Sequence, residues 1–131
     1  MIEPIKMNTT ALAYVGDAVY EVFIRERVIQ TGEVHADQLH KSGIKYVCAG
    51  GQADVIKTLL SSLTPAEDAL VRRAKNHKSA TKPKNVDHVT YKWATAFEAL
   101  IGYLYLSGHK ERLTELMLKA AEITENEISK E

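Results

Sequence analysis

At 131 residues, with 45% hydrophobic and 26% charged side chains, the chain can bury one core and is too short for two domains, so residues 1–131 are expected to form one. Its 17 acids and 17 Lys/Arg residues cancel, which argues against a uniformly basic nucleic-acid binder, and no apolar stretch reaches the ~18 residues of a membrane span. A single cysteine, Cys48, excludes an internal disulfide and points to a reducing, cytoplasmic setting, where its thiol is expected to pack as a small hydrophobe.

In chain order, the start MIEPIKMNTT lacks the apolar core of a signal peptide. Thr9 or Thr10 can cap a first helix that runs to about Ile29 and ends at Thr31-Gly32. Its Leu12, Val15, Val19, Val22 and Ile29 keep helical spacing while Ala13, Ile24 and Val28 fill other faces, the pattern of a helix at the centre of a bundle. Residues 35–63 read as one or two helices with Leu39, Tyr46, Val47, Ile56, Leu59, Leu60 and Leu63 as core, and with Gly43 or Gly50-Gly51 as breaks. Thr64-Pro65-Ala66-Glu67 is a strong helix start, with Thr as cap, Pro at the first position and Glu closing a capping box; that helix runs to about Lys75. A loop over residues 76–89 leads to a helix from about Thr90 to Leu106. Ser107-Gly108 breaks it before a last amphipathic helix carrying Leu113, Leu116, Ala120 and Ile123. No β-alternation appears, so the fold class is all-α.

Two helical runs each hold one charge. ALAYVGDAVY (11–20) has Asp17 alone, and WATAFEALIGYLYL (93–106) has Glu98 alone. A carboxylate in apolar surroundings needs a partner, a metal or a proton. Gly16 stands beside one acid and Gly102 one turn beyond the other, which would let the two helices cross closely and bring the carboxylates together. Mg²⁺ suits such a site, since it takes oxygen ligands and often needs only one or two carboxylates plus substrate phosphate. The alternative is that each acid faces solvent or pairs with Arg25 or Arg27. The histidines His35, His40, His77, His88 and His109 share no i,i+4 pair, which argues against zinc. Tyr14, Tyr20, Tyr91, Tyr103 and Tyr105 are candidates for the core or for a dimer contact.

Neutrality conceals segregation. Between Arg72 and Lys84 there are six cations and no acid, whereas the stretch from Glu111 to Glu131 has six acids against three bases. Arg72, Arg73, Lys75, Asn76, Lys78, Lys82 and Lys84 are therefore candidates for nucleic-acid phosphate contact, with a solvated loop as the alternative.

LAYVGDAVYE (12–21) resembles the signature helix of the ribonuclease III family, and TAFEALIGYLYL (95–106) resembles that family's second acidic helix. RRAKN (72–76) and the KSATKPKN loop after it resemble the family's short branch, Mini-III, which lacks a double-stranded-RNA-binding domain. The resemblance implies a helical endonuclease domain acting as a two-fold homodimer, with Asp17 and Glu98 as catalytic and metal-holding residues. It implies Mg²⁺ as cofactor, with Mn²⁺ as a substitute, and double-stranded RNA as substrate, cut to 5′-phosphate and 3′-hydroxyl ends. It further implies a role in maturing precursor large-subunit (23S) ribosomal RNA, with a ribosomal protein as a candidate partner. The chain departs from the larger relatives at Thr10, Ala13, Ala36 and Thr95, where they carry acids, so one metal ion per centre is expected. These gaps also leave a non-catalytic duplex-RNA-binding or assembly module as the alternative.

Overall fold

The computed structural model describes residues 2–78 and 83–131, and among these no strand occurs. Six helices follow in order: α1 (Thr9–Ile29), α2 (Ala36–Val47), α3 (Ala49–Leu59), α4 (Pro65–Asn76), α5 (His88–Leu106) and α6 (Lys110–Ser129), with short 3-10 turns at Pro4–Lys6 and Leu60–Ser62. None of the helices described is long and apolar enough to cross a membrane.

Helix α5 is the axis of the molecule. Ala94, Ala96, Phe97, Ala99, Leu100, Ile101, Gly102 and Leu104 are all buried along it, and α1, α3 and α4 pack most heavily against it. Leu12, Tyr20 and Ile24 of α1, Val55 and Ile56 of α3, Leu70 and Val71 of α4 and Leu116 of α6 complete one continuous core. An aromatic edge contact between Tyr20 and Phe97 (ring centroids 4.9 Å apart) ties α1 to α5 at its centre.

Local chemistry explains most boundaries. The capping box at Thr64 forms as the sequence predicts, with Glu67 N–H donating to Thr64 Oγ1 (3.2 Å) and Thr64 N–H donating to Glu67 Oε1 (2.9 Å). Glu67 is also buried, and Arg112 of α6 answers its charge with a bidentate pair at 2.7 and 2.9 Å while donating to Ser62 O. That pair, absent from the sequence reading, pins α6 to the head of α4. On the other side, Arg27 forks onto Glu125 at 2.7 and 2.8 Å, and Tyr46 donates to the same carboxylate at 2.9 Å, joining α1, α2 and α6.

Several boundaries differ from expectation. Asn8, not Thr9 or Thr10, caps α1, its Oδ1 accepting from Thr10 N–H. Asp87 caps α5, which therefore starts two residues early. The break between α2 and α3 falls at Cys48, whose backbone is extended, rather than at Gly43 or Gly50-Gly51. Cys48 is exposed and its sulfur accepts from Gly51 N–H, so it caps a helix instead of filling the core. Helix α1 is not enclosed on all sides either. Tyr14 is 82% exposed, and Val22 and Ile29 are more than half exposed, so one apolar face of α1 is left uncovered in the protomer.

Candidate active site

The crossing of α1 and α5 is set by two glycines. A Cβ on Gly16 would overlap the Glu98 carbonyl oxygen and lie 2.8 Å from Gly102 N, and a Cβ on Gly102 would overlap the Leu12 carbonyl oxygen. Each helix thus presses its backbone into the notch left by the other's missing side chain, and the point of closest approach is Glu98 itself. Because Asp17 follows Gly16 directly, the same contact that brings the backbones together brings the two acids together.

The two carboxyl groups are near enough that Asp17 opposes ionisation of Glu98. Asp17 is on the solvent side and exposed, while Glu98 is half-buried. Neither alternative partner reaches them, because Arg25 pairs with Glu21 (3.1 Å) and Arg27 pairs with Glu125. Among the described residues no cation pairs with either acid, and burial and then Asp17 push the Glu98 carboxyl up to about 9, with Glu21, one turn along α1, adding to the rise. The pair thus requires a proton or a cation between its members. Its donors are all carboxylate oxygens, the set that suits a hard divalent ion, and among the described residues no group of three or more His, Cys, Asp or Glu side chains forms a metal-ligating cluster.

The basic residues at the end of α4 have divided duties. Arg72 pairs with Asp68 of its own helix at 2.9 Å. Arg73 donates to the Ile5 and Met7 carbonyls at 3.0 and 3.2 Å, tethering the N-terminal segment. Lys75 Nζ stands 4.6 Å from the centre of the Trp93 ring, a cation–π contact that joins α4 to α5. Asn76, Lys78 and Lys84 are exposed, with no such anchoring among the described residues. Lys82 lies outside the described residues.

Comparisons with known proteins identify the family of the chain. The ribonuclease III domain model matches residues 10–109. A Mini-ribonuclease 3 of Brevibacillus brevis is 46% identical over 125 residues, covering 95% of this chain and 93% of its own. That of Symbiobacterium thermophilum is 42% identical over 125 residues, covering 95% and 96%. This chain belongs to the ribonuclease III family, in its Mini-ribonuclease 3 branch. A Fusobacterium nucleatum protein of known crystal structure superposes with a TM-score of 0.81 at 31% identity, over 89% of this chain and 93% of that one.

As a ribonuclease III family member the protein is an endoribonuclease. Two of the positions at which the sequence departs from the acidic pattern of the family resemblance, Ala13 and Thr95, are occupied otherwise. Ala13 is buried in the core, and the Thr95 hydroxyl is spent on the Tyr91 carbonyl at 2.9 Å. One residue at the site escaped the sequence reading. Gln52 of α3 is buried and bears on the Glu98 carboxyl. The signal was present: Gln52, Val55, Ile56 and Leu59 occupy one helical stripe, and Gln52 is its only polar member.

Proposed function

We propose that this endoribonuclease cuts double-stranded RNA in a divalent-metal-dependent reaction, with Asp17 and Glu98 as its catalytic, metal-holding pair. The observation that carries the reading is the meeting of two uncompensated carboxylates at a glycine-notched helix crossing. Mg²⁺, or Mn²⁺ in its place, supplies charge neutralisation at the scissile phosphate and an activated water. Asp17, exposed on α1, offers its oxygens from the solvent side, and Glu98 offers its own from the half-buried side. The helix crossing fixes their spacing, so the pair is organised before substrate arrives. Water attacks phosphorus in line, the bond to O3′ breaks, and the 3′ oxygen takes up a proton. The products are a 5′-phosphate and a 3′-hydroxyl.

A-form RNA is gripped through shape, phosphates and 2′-hydroxyls rather than base edges. Lys78 and Lys84, both exposed, offer charge for that purpose, and Arg72 does so while paired to Asp68 of its own helix. Replacing Arg72, Arg73 and Lys78 together by alanine is expected to weaken duplex binding and to reduce the salt slope by up to about 3. An unchanged slope would remove this surface from the interface. The anchoring of Arg73 also predicts a small stability loss for that variant, which a single Arg73→Ala substitution isolates.

The homodimer is assigned to the uncovered face of α1. Tyr14, Val22 and Tyr105 are exposed there beside an open apolar groove of about 740 Å³ that also includes Asp17, Phe23 and Met117. Burial of this face by a second copy satisfies the side chains the protomer leaves in water and presents two centres to the two strands of a duplex. Sedimentation should return twice the 14.6 kDa chain mass; a monomer at all concentrations would contradict it. The physiological substrate is assigned to the paired ends of precursor large-subunit ribosomal RNA, an assignment that follows from the resemblance of residues 72–76 and the loop after them to the Mini-III branch. The direct test is incubation of the protein and Mg²⁺ with a perfect RNA duplex and with one of its strands alone. Cleavage of the duplex only, stopped by EDTA, is expected; equal cleavage of the single strand would overturn the substrate class.

A further inference from the structure

We propose that Lys57 of α3 and Lys75 of α4, gathered on the Trp93 ring of α5, form a platform that grips a backbone phosphate of the RNA duplex; this rests on the duplex reading above and adds to it Lys57 and Trp93, which lie outside the basic run 72–84. Lys75 Nζ stands 4.6 Å and Lys57 Nζ 6.0 Å from the centre of the same indole, although the two lysines come from different helices. A lysine in the last turn of α3 would be ordinary by itself, because a helix C-terminus welcomes a cation. Two that converge on one ring are not explained that way, since like charges repel, and more so where water is partly excluded. An anion bound between them gives the juxtaposition a use.

The ring orders the lysines without neutralising them. An aromatic face attracts an ammonium through its quadrupole but has no net charge, and the methylene stems pack on the indole while the N–H donors stay available. No salt bridge among the described residues takes up either lysine, in contrast to Lys6, Lys119 and Lys130, which pair with acids of their own segments. Asp87, the exposed cap of α5, feels the charge of Lys57, yet its oxygens accept from Thr90 N–H and Thr90 Oγ1 at 3.0 and 2.6 Å. Lys57 is exposed, while Lys75 and Trp93 are half-buried, so charge meets water on a packed support. The ring face that Lys75 covers is closed to a stacking base, and an ammonium meets phosphate as a point charge that reads no sequence. The basic run leaves α4 just after Lys75 and rejoins α5 beside Asp87, so Lys57 carries the positive surface across to α3. Trp93 precedes Glu98 by five residues of one helix, about 7.5 Å along its axis, which fixes the grip relative to the acid pair.

The experiment measures binding of a perfect RNA duplex in EDTA over a range of salt concentrations for wild type, Lys57→Ala, Lys57→Arg and Lys130→Ala. Lys57→Ala should weaken binding about threefold or more at low salt and reduce the salt slope by about one, equally for duplexes of different sequence, with melting temperature nearly unchanged. Lys57→Arg should keep the wild-type slope, as should Lys130→Ala, which removes an exposed lysine at the acidic end of α6. Trp93, the only tryptophan of the chain, supplies a second readout. At constant ionic strength the anion iodide should quench its fluorescence about twofold more steeply in wild type than in Lys57→Ala, whereas neutral acrylamide should not distinguish the two. Saturating duplex should block most of the iodide quenching. A wild-type salt slope in Lys57→Ala, or iodide quenching indifferent to saturating duplex, would overturn the platform while leaving duplex recognition by the other cations intact. A wild-type protein that binds no duplex would overturn the duplex reading itself, and the platform with it.

Discussion

Replacing Glu98 with glutamine should make the metal-free protein more stable at pH 8 while leaving it without cleavage activity. The sign follows from the two states of the carboxyl. In the unfolded chain it releases its proton near 4.5; in the folded, metal-free protein burial and Asp17 delay that release to about 9. Between those values the folded state binds more protons than the unfolded one, so stability falls as pH rises through this window. Glutamine carries no such proton and escapes the loss. Because Asp17 is exposed and the pair can turn partly toward water, we expect a gain of about 2 kcal/mol at pH 8, or roughly 8 °C in Tm. At pH 5 the difference should nearly vanish. Thermal melts in EDTA at the two pH values measure it, and equal Tm at pH 8 would remove the electrostatic strain from the account. Adding Mg²⁺ should raise the wild-type Tm and leave Glu98→Gln unmoved.

The second large effect concerns the crossing. Gly16→Ala and Gly102→Ala each place a methyl group against rigid backbone, the Glu98 and Leu12 carbonyls respectively. No rotamer change can relieve that overlap, so the helices must separate. Alanine ordinarily stabilises a helix interior by up to about 1 kcal/mol relative to glycine; here the sign reverses, with a loss of at least about 3 kcal/mol, or roughly 12 °C in Tm. Gly43→Ala and Gly50→Ala, where an added Cβ meets open space, supply the control and should be neutral or slightly stabilising. Separation of α1 from α5 also pulls Asp17 from Glu98, so any folded Gly16→Ala protein should be weak in activity out of proportion to its stability. A Gly16→Ala variant as stable as Gly43→Ala would show that the backbones do not touch there.

The central part of this architecture can be read from the chain because it depends on local patterns. One charge in each of two apolar runs, with a glycine beside one acid and another a turn beyond the second, indicates which helices cross and what meets at the crossing. The Thr64–Glu67 capping box is equally legible, since both partners lie within four residues. What escaped depends on distance along the chain. Glu67 finds Arg112 across 45 residues, and Arg27 finds Glu125 across 98; nothing local marks either pair. Gln52 was visible as a polar break in an apolar stripe, but its burial appears only when α3 is packed into the core. The basic run shows the converse limit. Its charge is plain in the sequence, yet Arg73 and Lys75 are committed to the N-terminal carbonyls and to Trp93, and only the fold distinguishes them from the freer Lys78 and Lys84. Val22 and Ile29 were placed in the core by periodicity, but both are more than half exposed in the protomer, because the period gives a helix its faces without saying which face a neighbouring helix covers.

The proposed site has a sparse acidic complement, two carboxylates with a third, Glu21, one turn away and paired to Arg25. That sparseness makes the account easy to test. Single-turnover cleavage of an RNA duplex at saturating Mg²⁺, measured for wild type, Asp17→Asn and Glu98→Gln with duplex affinity determined in parallel, addresses it most directly. Each substitution should slow cleavage at least about a thousandfold, ~4 kcal/mol of transition-state stabilisation, with duplex affinity nearly unchanged. Cleavage by either variant at the wild-type rate would contradict the assignment of the reaction to this carboxylate pair.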